Sequence, residues 1–145
     1  MNSWHYADAT PDNGWTPLLI LAWGVAGYFM FRLLAGLWSI WRIHRYSKPA
    51  VWQSFQYRQV AGAIAPFSFW RSIYLNIHRH SSTELPKIFE HEQVHTRGLH
   101  TIDMLLAELC AACCWFNPAA WLLSHAVREN LEFLADRQVL AAGTD

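Results

Sequence analysis

Charged side chains are scarce. Asp, Glu, Lys and Arg make up 15% of the 145 residues, where soluble domains carry about a quarter. The few charges balance to a formal net charge of zero, so no basic surface is offered and direct nucleic-acid binding is not expected. Cysteine is limited to three residues. Cys110, Cys113 and Cys114 sit together in an apolar run, and an odd number so placed speaks against a disulfide framework and fits a reducing compartment. A zinc knuckle would need a second ligand pair nearby, so these three read as small core residues. No basic residue precedes the first apolar segment, so the N-terminus does not read as a cleaved signal peptide. What the chain has in abundance is apolar surface: 53% hydrophobic residues and nine tryptophans. Low charge with abundant Trp points to contact with a lipid bilayer. The length suits one domain.

The polar stretch 1–14, with Asp8, Pro11, Asp12 and Gly14, is expected to be an extracytoplasmic tail. The span 15–41 that follows is long enough to cross a bilayer with its interfaces. Trp15 at one end and Trp38 and Trp41 at the other sit where interfacial anchors belong. Arg42, His44, Arg45 and Lys48 come directly after. The positive-inside rule then places the N-terminus outside and everything beyond Lys48 in the cytoplasm. The alternative is a buried helix of a soluble protein. Arg32 interrupts the apolar run. An arginine at mid-membrane costs roughly 2.5–3.5 kcal/mol on insertion scales, so it needs protein, water or a partner. Gly24 and Gly27 permit close helix packing, which makes partner membrane helices or a homo-oligomer an expectation.

Residues 57–64 and 67–76 are short segments rich in aromatic and β-branched side chains, separated by Ala65-Pro66. They predict a hairpin or two short strands. His78 and His80 lie in a polar stretch, and nothing fixes them as ligands. A helix is predicted over 85–116, with Pro86 in its first turn and Ser82 or Thr83 as cap. It ends at Asn117-Pro118. Glu108 is the isolated charge in the apolar half of that helix, as Arg32 is in the first apolar segment, and the two are expected to pair.

The chemistry centres on His91-Glu92-Gln93-Val94-His95. In a helix, residues four apart share a face, so two imidazoles at that spacing reach one metal ion. The glutamate between them lies where a general base for water belongs. A last helix is predicted over 119–142. His125, Glu129, Glu132 and Asp136 are spaced by four, three and four along it and form one face. That stripe is either a solvated face or the source of a third ligand, and spacing does not choose between them.

His91-Glu92-x-x-His95, His100-x-x-Asp103, Trp115-Phe116-Asn117-Pro118 and Glu132-x-x-x-Asp136 with Val139-Leu140 occur in this order. Together with Pro66-Phe67-Ser68-Phe69 and Tyr74-Leu75-Asn76, they resemble the membrane metallopeptidases of the BlaR/MecR antibiotic sensor-transducer family. The resemblance spans roughly residues 15–142. It implies a mainly α membrane protein. One transmembrane helix would be followed, over 49–145, by a gluzincin-like zinc domain with a small β-hairpin and two or three helices. It implies Zn2+ held by His91, His95 and Glu132, with Glu92 as general base. Asp136 would orient a ligand histidine, with Asp103 as its rival. Glu129 and His125 are the fallback ligands. His100 is expected to be structural or to support a ligand. His125, Arg128 and Tyr74 are candidate oxyanion stabilisers by position. The activity implied is zinc metalloendopeptidase action in signal transduction at the bacterial inner membrane, on the chain itself or on a cytoplasmic DNA-binding repressor. A non-catalytic membrane scaffold that keeps the fold is the alternative. Transducers of this family carry further membrane helices and an outside sensor, so this chain is expected to be a truncated or reduced member.

Overall fold

The computed structural model describes residues 14–141 and 143; the expected tail over 1–13 and residues 142, 144 and 145 lie outside the described residues. The chain opens with α1 (Thr16–Tyr46), one long helix with Pro17 in its first turn. No residue of α1 is buried. It is long and apolar enough to cross a membrane, and it does not form the core expected of a soluble alternative. The helix runs five residues beyond the expected span, through the basic cluster to Tyr46. Arg58 secures its end. The Arg58 guanidinium donates to the His44 carbonyl at 2.8 Å, to the Ser47 carbonyl at 3.1 Å and to Ser47 Oγ at 2.8 Å. A cation at a helix C-terminus satisfies carbonyls that have no helical partner and complements the helix dipole.

The β region is larger than the predicted hairpin. It is a four-stranded sheet of β1 (Lys48–Trp52), β2 (Phe55–Gln59), β3 (Phe67–Phe69) and β4 (Ser72–Leu75), in the order β1-β2-β4-β3. Two antiparallel hairpins, β1–β2 and β3–β4, join through a parallel pairing of β2 with β4. Each hairpin closes on two residues, Gln53-Ser54 and Trp70-Arg71. Gln53 has φ 50° and Trp70 φ 56°. Tight hairpin turns favour positive φ, which Asn and Gly usually supply. Neither is present here, so both turns escaped prediction and the stretch 67–76 read as one strand.

The helix predicted over 85–116 is two helices, α2 (Leu85–Arg97) and α3 (His100–Cys113). Leu99 breaks them apart in the left-handed region at φ 52°. Pro86 sits in the first turn of α2 as expected, but Glu84 rather than Ser82 or Thr83 holds the cap position. Its carboxylate accepts the Ser81 N–H at 3.0 Å. The last helix is α4 (Pro118–Ala141). Three α-helices, preceded by a short 3-10 turn over Ile77–Arg79, thus follow α1 among the described residues.

The core lies between the sheet and α2. Tyr57, Ile73, Leu75, Leu85 and Phe89 form its buried cluster. Phe89 is fully buried, stacked on Trp52 at 5.3 Å and Phe55 at 5.0 Å, with Tyr57 edge-on at 5.4 Å. Leu85 and Phe89 are four apart and define the sheet-facing side of α2. His91 and His95, also four apart, lie about 200° and 240° around the helix from Phe89 at 100° per residue, and that side packs on α4.

Candidate metal centre

The two helices α2 and α4 bring His91, His95 and Glu132 together, with one ligand atom from each lying within 4.8 Å of the others. His91 Nε2 and His95 Nε2 are 3.2 Å apart. Glu132 Oε2 is 3.3 Å from the first and 3.9 Å from the second. Tetrahedral zinc with bonds of about 2.0–2.1 Å places its donor atoms about 3.3–3.4 Å apart. Two of the three separations match that spacing. The third needs a shift of about half an ångström by Glu132, which is an exposed side chain free to make it.

The outer nitrogens of both rings are occupied. Asp136 Oδ1 lies 3.0 Å from His91 Nδ1, and His100 Nδ1 lies 2.9 Å from His95 Nδ1. A carboxylate accepts, so His91 carries its proton on Nδ1 and donates it to Asp136. His95 in the same tautomer donates from Nδ1 to His100. In that pair of tautomers both Nε2 atoms present lone pairs to each other with a carboxylate oxygen beside them; in the other, one Nε2–H bridges the 3.2 Å gap between the rings and a metal would displace it. The lone-pair arrangement is repulsive until a cation enters it, and the donor set of two imidazoles and one carboxylate fits a divalent transition metal.

Glu92 is buried next to the pair, at 8% exposure. Burial raises its carboxyl above the ordinary glutamate range, while a hydrogen bond from Ser68 and the nearby His91 pull the other way. His95 is pushed down, first by burial. A pocket of about 270 Å³ opens over these groups, lined also by Pro66, Phe67, Ser68 and Met104. A second, of about 410 Å³, continues past His91 and Glu92 to Lys87, Asp136 and Val139. Ser68 belongs to β3, an edge strand. Its role at Glu92 had no sequence signal beyond the quoted Pro66-Phe67-Ser68-Phe69 run.

The remaining candidates fall elsewhere. Glu129 pairs with His125 at 3.4 Å, both exposed. Asp103 is exposed in the first turn of α3 and forms no ion pair with either motif histidine. Of the three oxyanion candidates, Arg128 is bound to Glu108 and His125 to Glu129, while the Tyr74 hydroxyl lies 2.8 Å from His44 Nδ1. Lys87 lines the pocket instead, a residue the sequence reading passed over.

His100 reaches His95 only because the chain turns back at Gly98-Leu99. A Cβ on Gly98 would stand 2.3 Å from His100 Nε2. The glycine is therefore part of the site, and its signal was a glycine three residues beyond the second motif histidine.

Among known proteins, no curated sequence matches the chain. Residues 59–144, which hold β3, β4 and all three helices of the site, match the peptidase family described as BlaR1 peptidase M56. With more than half of its residues inside that match, the chain belongs to the BlaR1-type M56 peptidase family.

Proposed function

We propose that the chain is a membrane-bound zinc endopeptidase of a signalling system, cleaving itself or a cytoplasmic repressor protein. In this reading α1 crosses the bacterial inner membrane with its N-terminus outside, and the sheet with α2–α4 lies on the cytoplasmic side. The single observation that carries the catalytic part is the convergence of three potential ligand atoms, His91 Nε2, His95 Nε2 and Glu132 Oε2, beside a buried Glu92. The basic cluster Arg42–Lys48 at the end of α1 supports the orientation.

His91, His95 and Glu132 would hold the ion. Zinc in that position supplies a Lewis acid that polarises the scissile carbonyl and makes water acidic. Glu92 takes the proton of the attacking water and returns it to the leaving amine. Its raised affinity for protons, from burial, moves it toward the range in which a carboxylate both accepts and gives one back. Asp136 and His100 keep each imidazole in the tautomer that turns Nε2 inward. Phe67 and Ser68 line the pocket from β3, whose outer edge pairs with no strand among the described residues. An extended substrate could add there as a further strand. A scaffold that had given up catalysis would gain nothing from keeping a carboxylate buried where Glu92 is.

The test is bound zinc and proteolysis in the detergent-purified chain. Glu132→Ala is expected to lose zinc. Glu92→Gln is expected to keep zinc and lose cleavage of a co-expressed repressor or of the chain itself. Undiminished zinc in Glu132→Ala would remove the third ligand from this reading.

A further inference from the structure

The α3–α4 hairpin carries an apolar surface at the end far from the metal centre. From Leu109 to Ser124 no residue is charged. Leu106, Leu109, Phe116, Leu122 and Leu123 are exposed along it, Phe116 to 72% at the tip. On a water-soluble protein a contiguous patch of this kind marks a contact surface or an aggregation hazard.

Three observations say what covers it. The hairpin lies along α1: Trp121 packs on Phe29 at a ring separation of 4.9 Å, and Glu108 meets Arg32 at 3.5 Å. Ala111 and Ala112 also border one small cavity with Phe29, Arg32 and Leu33, so α3 ascends α1 toward its N-terminus. At 1.5 Å per residue Cys113 stands about 7–8 Å beyond Glu108, which for helices running side by side is near the level of Gly27. Gly27 is about 16 Å of helix from Trp38, half of a hydrocarbon core about 30 Å thick. The apolar tip therefore shares its level with the apolar middle of α1. Next, the tip pairs much of its own backbone. Trp121 Nε1 donates to the Trp115 carbonyl at 2.9 Å, and Asn117 N–H to the Cys114 carbonyl at 2.8 Å. The Asn117 side-chain oxygen accepts Ala119 N–H at 3.0 Å, and Pro118 has no N–H to satisfy. Hydrocarbon tolerates irregular backbone only where its polar groups find partners inside the protein. Last, the charged groups at the base of the stretch are paired: the one carboxylate of Glu108 is shared by Arg32 and Arg128 and accepts Ser124 Oγ–H at 3.2 Å, and His125 faces Glu129 at 3.4 Å toward the surface end of α4.

We propose that the α3–α4 hairpin is a re-entrant membrane element, covered by lipid acyl chains, that dips from the cytoplasmic face to about the middle of the bilayer. This rests on the reading of α1 as a membrane span. Its consequence is a site held at the membrane surface. From Trp121 to Glu132 runs about 16 Å of helix, the depth of one hydrocarbon leaflet. The polypeptide that reaches the pocket is then one tethered to the membrane or lying on it.

The chain carries its own probes, because its three cysteines all lie on this hairpin and Cys110 and Cys113 are exposed. The full chain is reconstituted in vesicles of phosphatidylcholine and phosphatidylglycerol, with a charged maleimide on both sides. Labelling of the native cysteines is expected to fall below about a tenth of that in denaturing detergent, since the reactive thiolate does not form in hydrocarbon. With the native cysteines replaced by alanine, Ser82→Cys in the exposed loop should label freely and Leu21→Cys in α1 should not. Labelled native cysteines beside a protected Leu21→Cys would overturn the hairpin proposal and leave the membrane span standing. If Leu21→Cys also labels, the span itself fails and the proposal with it. Bimane attached to Cys113 before reconstitution separates lipid from protein cover. Quenching by nitroxide-labelled acyl chains is expected; protected thiols without quenching would overturn the proposal in favour of a protein partner.

Discussion

Replacing Gly98 by alanine sets two effects of opposite sign against each other. Gly98 has right-handed backbone angles at the end of α2, a conformation alanine adopts freely. Loss of chain entropy in the unfolded state alone would make Gly98→Ala stabilising by about 0.4–1 kcal/mol. The added methyl carbon, however, would meet His100 Nε2 at 2.3 Å and Cδ2 at 2.6 Å. The ring must retreat by about 1 Å to reach ordinary contact. It is only 4% exposed, and its Nδ1 is 2.9 Å from His95 Nδ1. Retreat breaks that bond and leaves a buried N–H on His95, which costs about 1–3 kcal/mol. The clash wins. Gly98→Ala should lower stability by about 1–2 kcal/mol. It should also weaken zinc binding about 10–100-fold, the usual effect of removing the group that orients a ligand histidine. The assay is thermal unfolding of the chelated protein with zinc affinity by chelator competition, run on Gly98→Ala, His100→Ala and the double variant. With the ring gone the methyl has nothing to strike, so Gly98→Ala in the His100→Ala background should be neutral or stabilising. The coupling between the two sites is expected at about 1–3 kcal/mol. A higher unfolding temperature for Gly98→Ala alone, with unchanged zinc affinity, would refute the reasoning.

Glu92 gives a pH signature. Its folded-state affinity for a proton is raised by burial, so the stability it contributes is whole below the ordinary glutamate value and falls as pH rises through the higher folded value. His95 is lowered, and its contribution falls instead as pH drops below the ordinary histidine range. Glu92→Gln should remove the first slope from the metal-free protein, leave the second, and stabilise it by about 0.5–2 kcal/mol at neutral pH, read by thermal unfolding across pH. A variant less stable than the parent at neutral pH would contradict this. Phe89→Ala empties the centre of the ring stack and should cost about 3–5 kcal/mol, measured by denaturant unfolding. A loss under about 1 kcal/mol would place the core elsewhere. Glu108→Gln leaves Arg32 and Arg128 without their shared carboxylate, whereas Arg32→Met leaves Glu108 with Arg128. The yield in the membrane fraction should drop more for the first than for the second, and the reverse order would show that the fold depends on Arg32 itself rather than on the shared carboxylate.

Much of the site was legible because its information is local. Two histidines four apart, a glutamate between them and an acidic stripe on a later helix are periodicities, and a helix turns a periodicity into a shared face. The Arg32–Glu108 contact was legible for a different reason: an isolated charge in an apolar run needs a partner wherever the chain supplies one. Arg128 as the second partner was not, because on its own helix it sits among polar neighbours and looks solvated. The sheet was under-read for a definite cause. Its two hairpins turn at Gln53 and Trp70, residues that pay no attention to the usual positive-φ preference, and without Asn or Gly the break is invisible in sequence. The division of the long helix at Leu99 was missed likewise. Gly98 was visible, but it keeps right-handed angles, and the left-handed residue is the leucine after it.

That break has a chemical consequence that links the fold to the site. A continuous helix through 98 and 99 would carry His100 five residues past His95, off the face the ligands share. The left-handed step at Leu99 instead starts α3 underneath the end of α2, where His100 meets the back of His95 and Thr101 accepts the Trp70 N–H at 2.8 Å. One backbone irregularity thus ties three things together: the tautomer of a ligand, the turn of the edge hairpin that borders the pocket, and the direction in which α3 leaves toward α1. A strained conformation of this kind persists when its surroundings over-determine it. Here they do, through a buried imidazole pair on one side and a strand turn on the other. The same geometry brings His91 Nε2, His95 Nε2 and Glu132 Oε2 together on the inner face of the site. The outward-facing Nδ1 of each ring has a partner, and among the described residues the inward-facing Nε2 atoms meet only each other and Glu132.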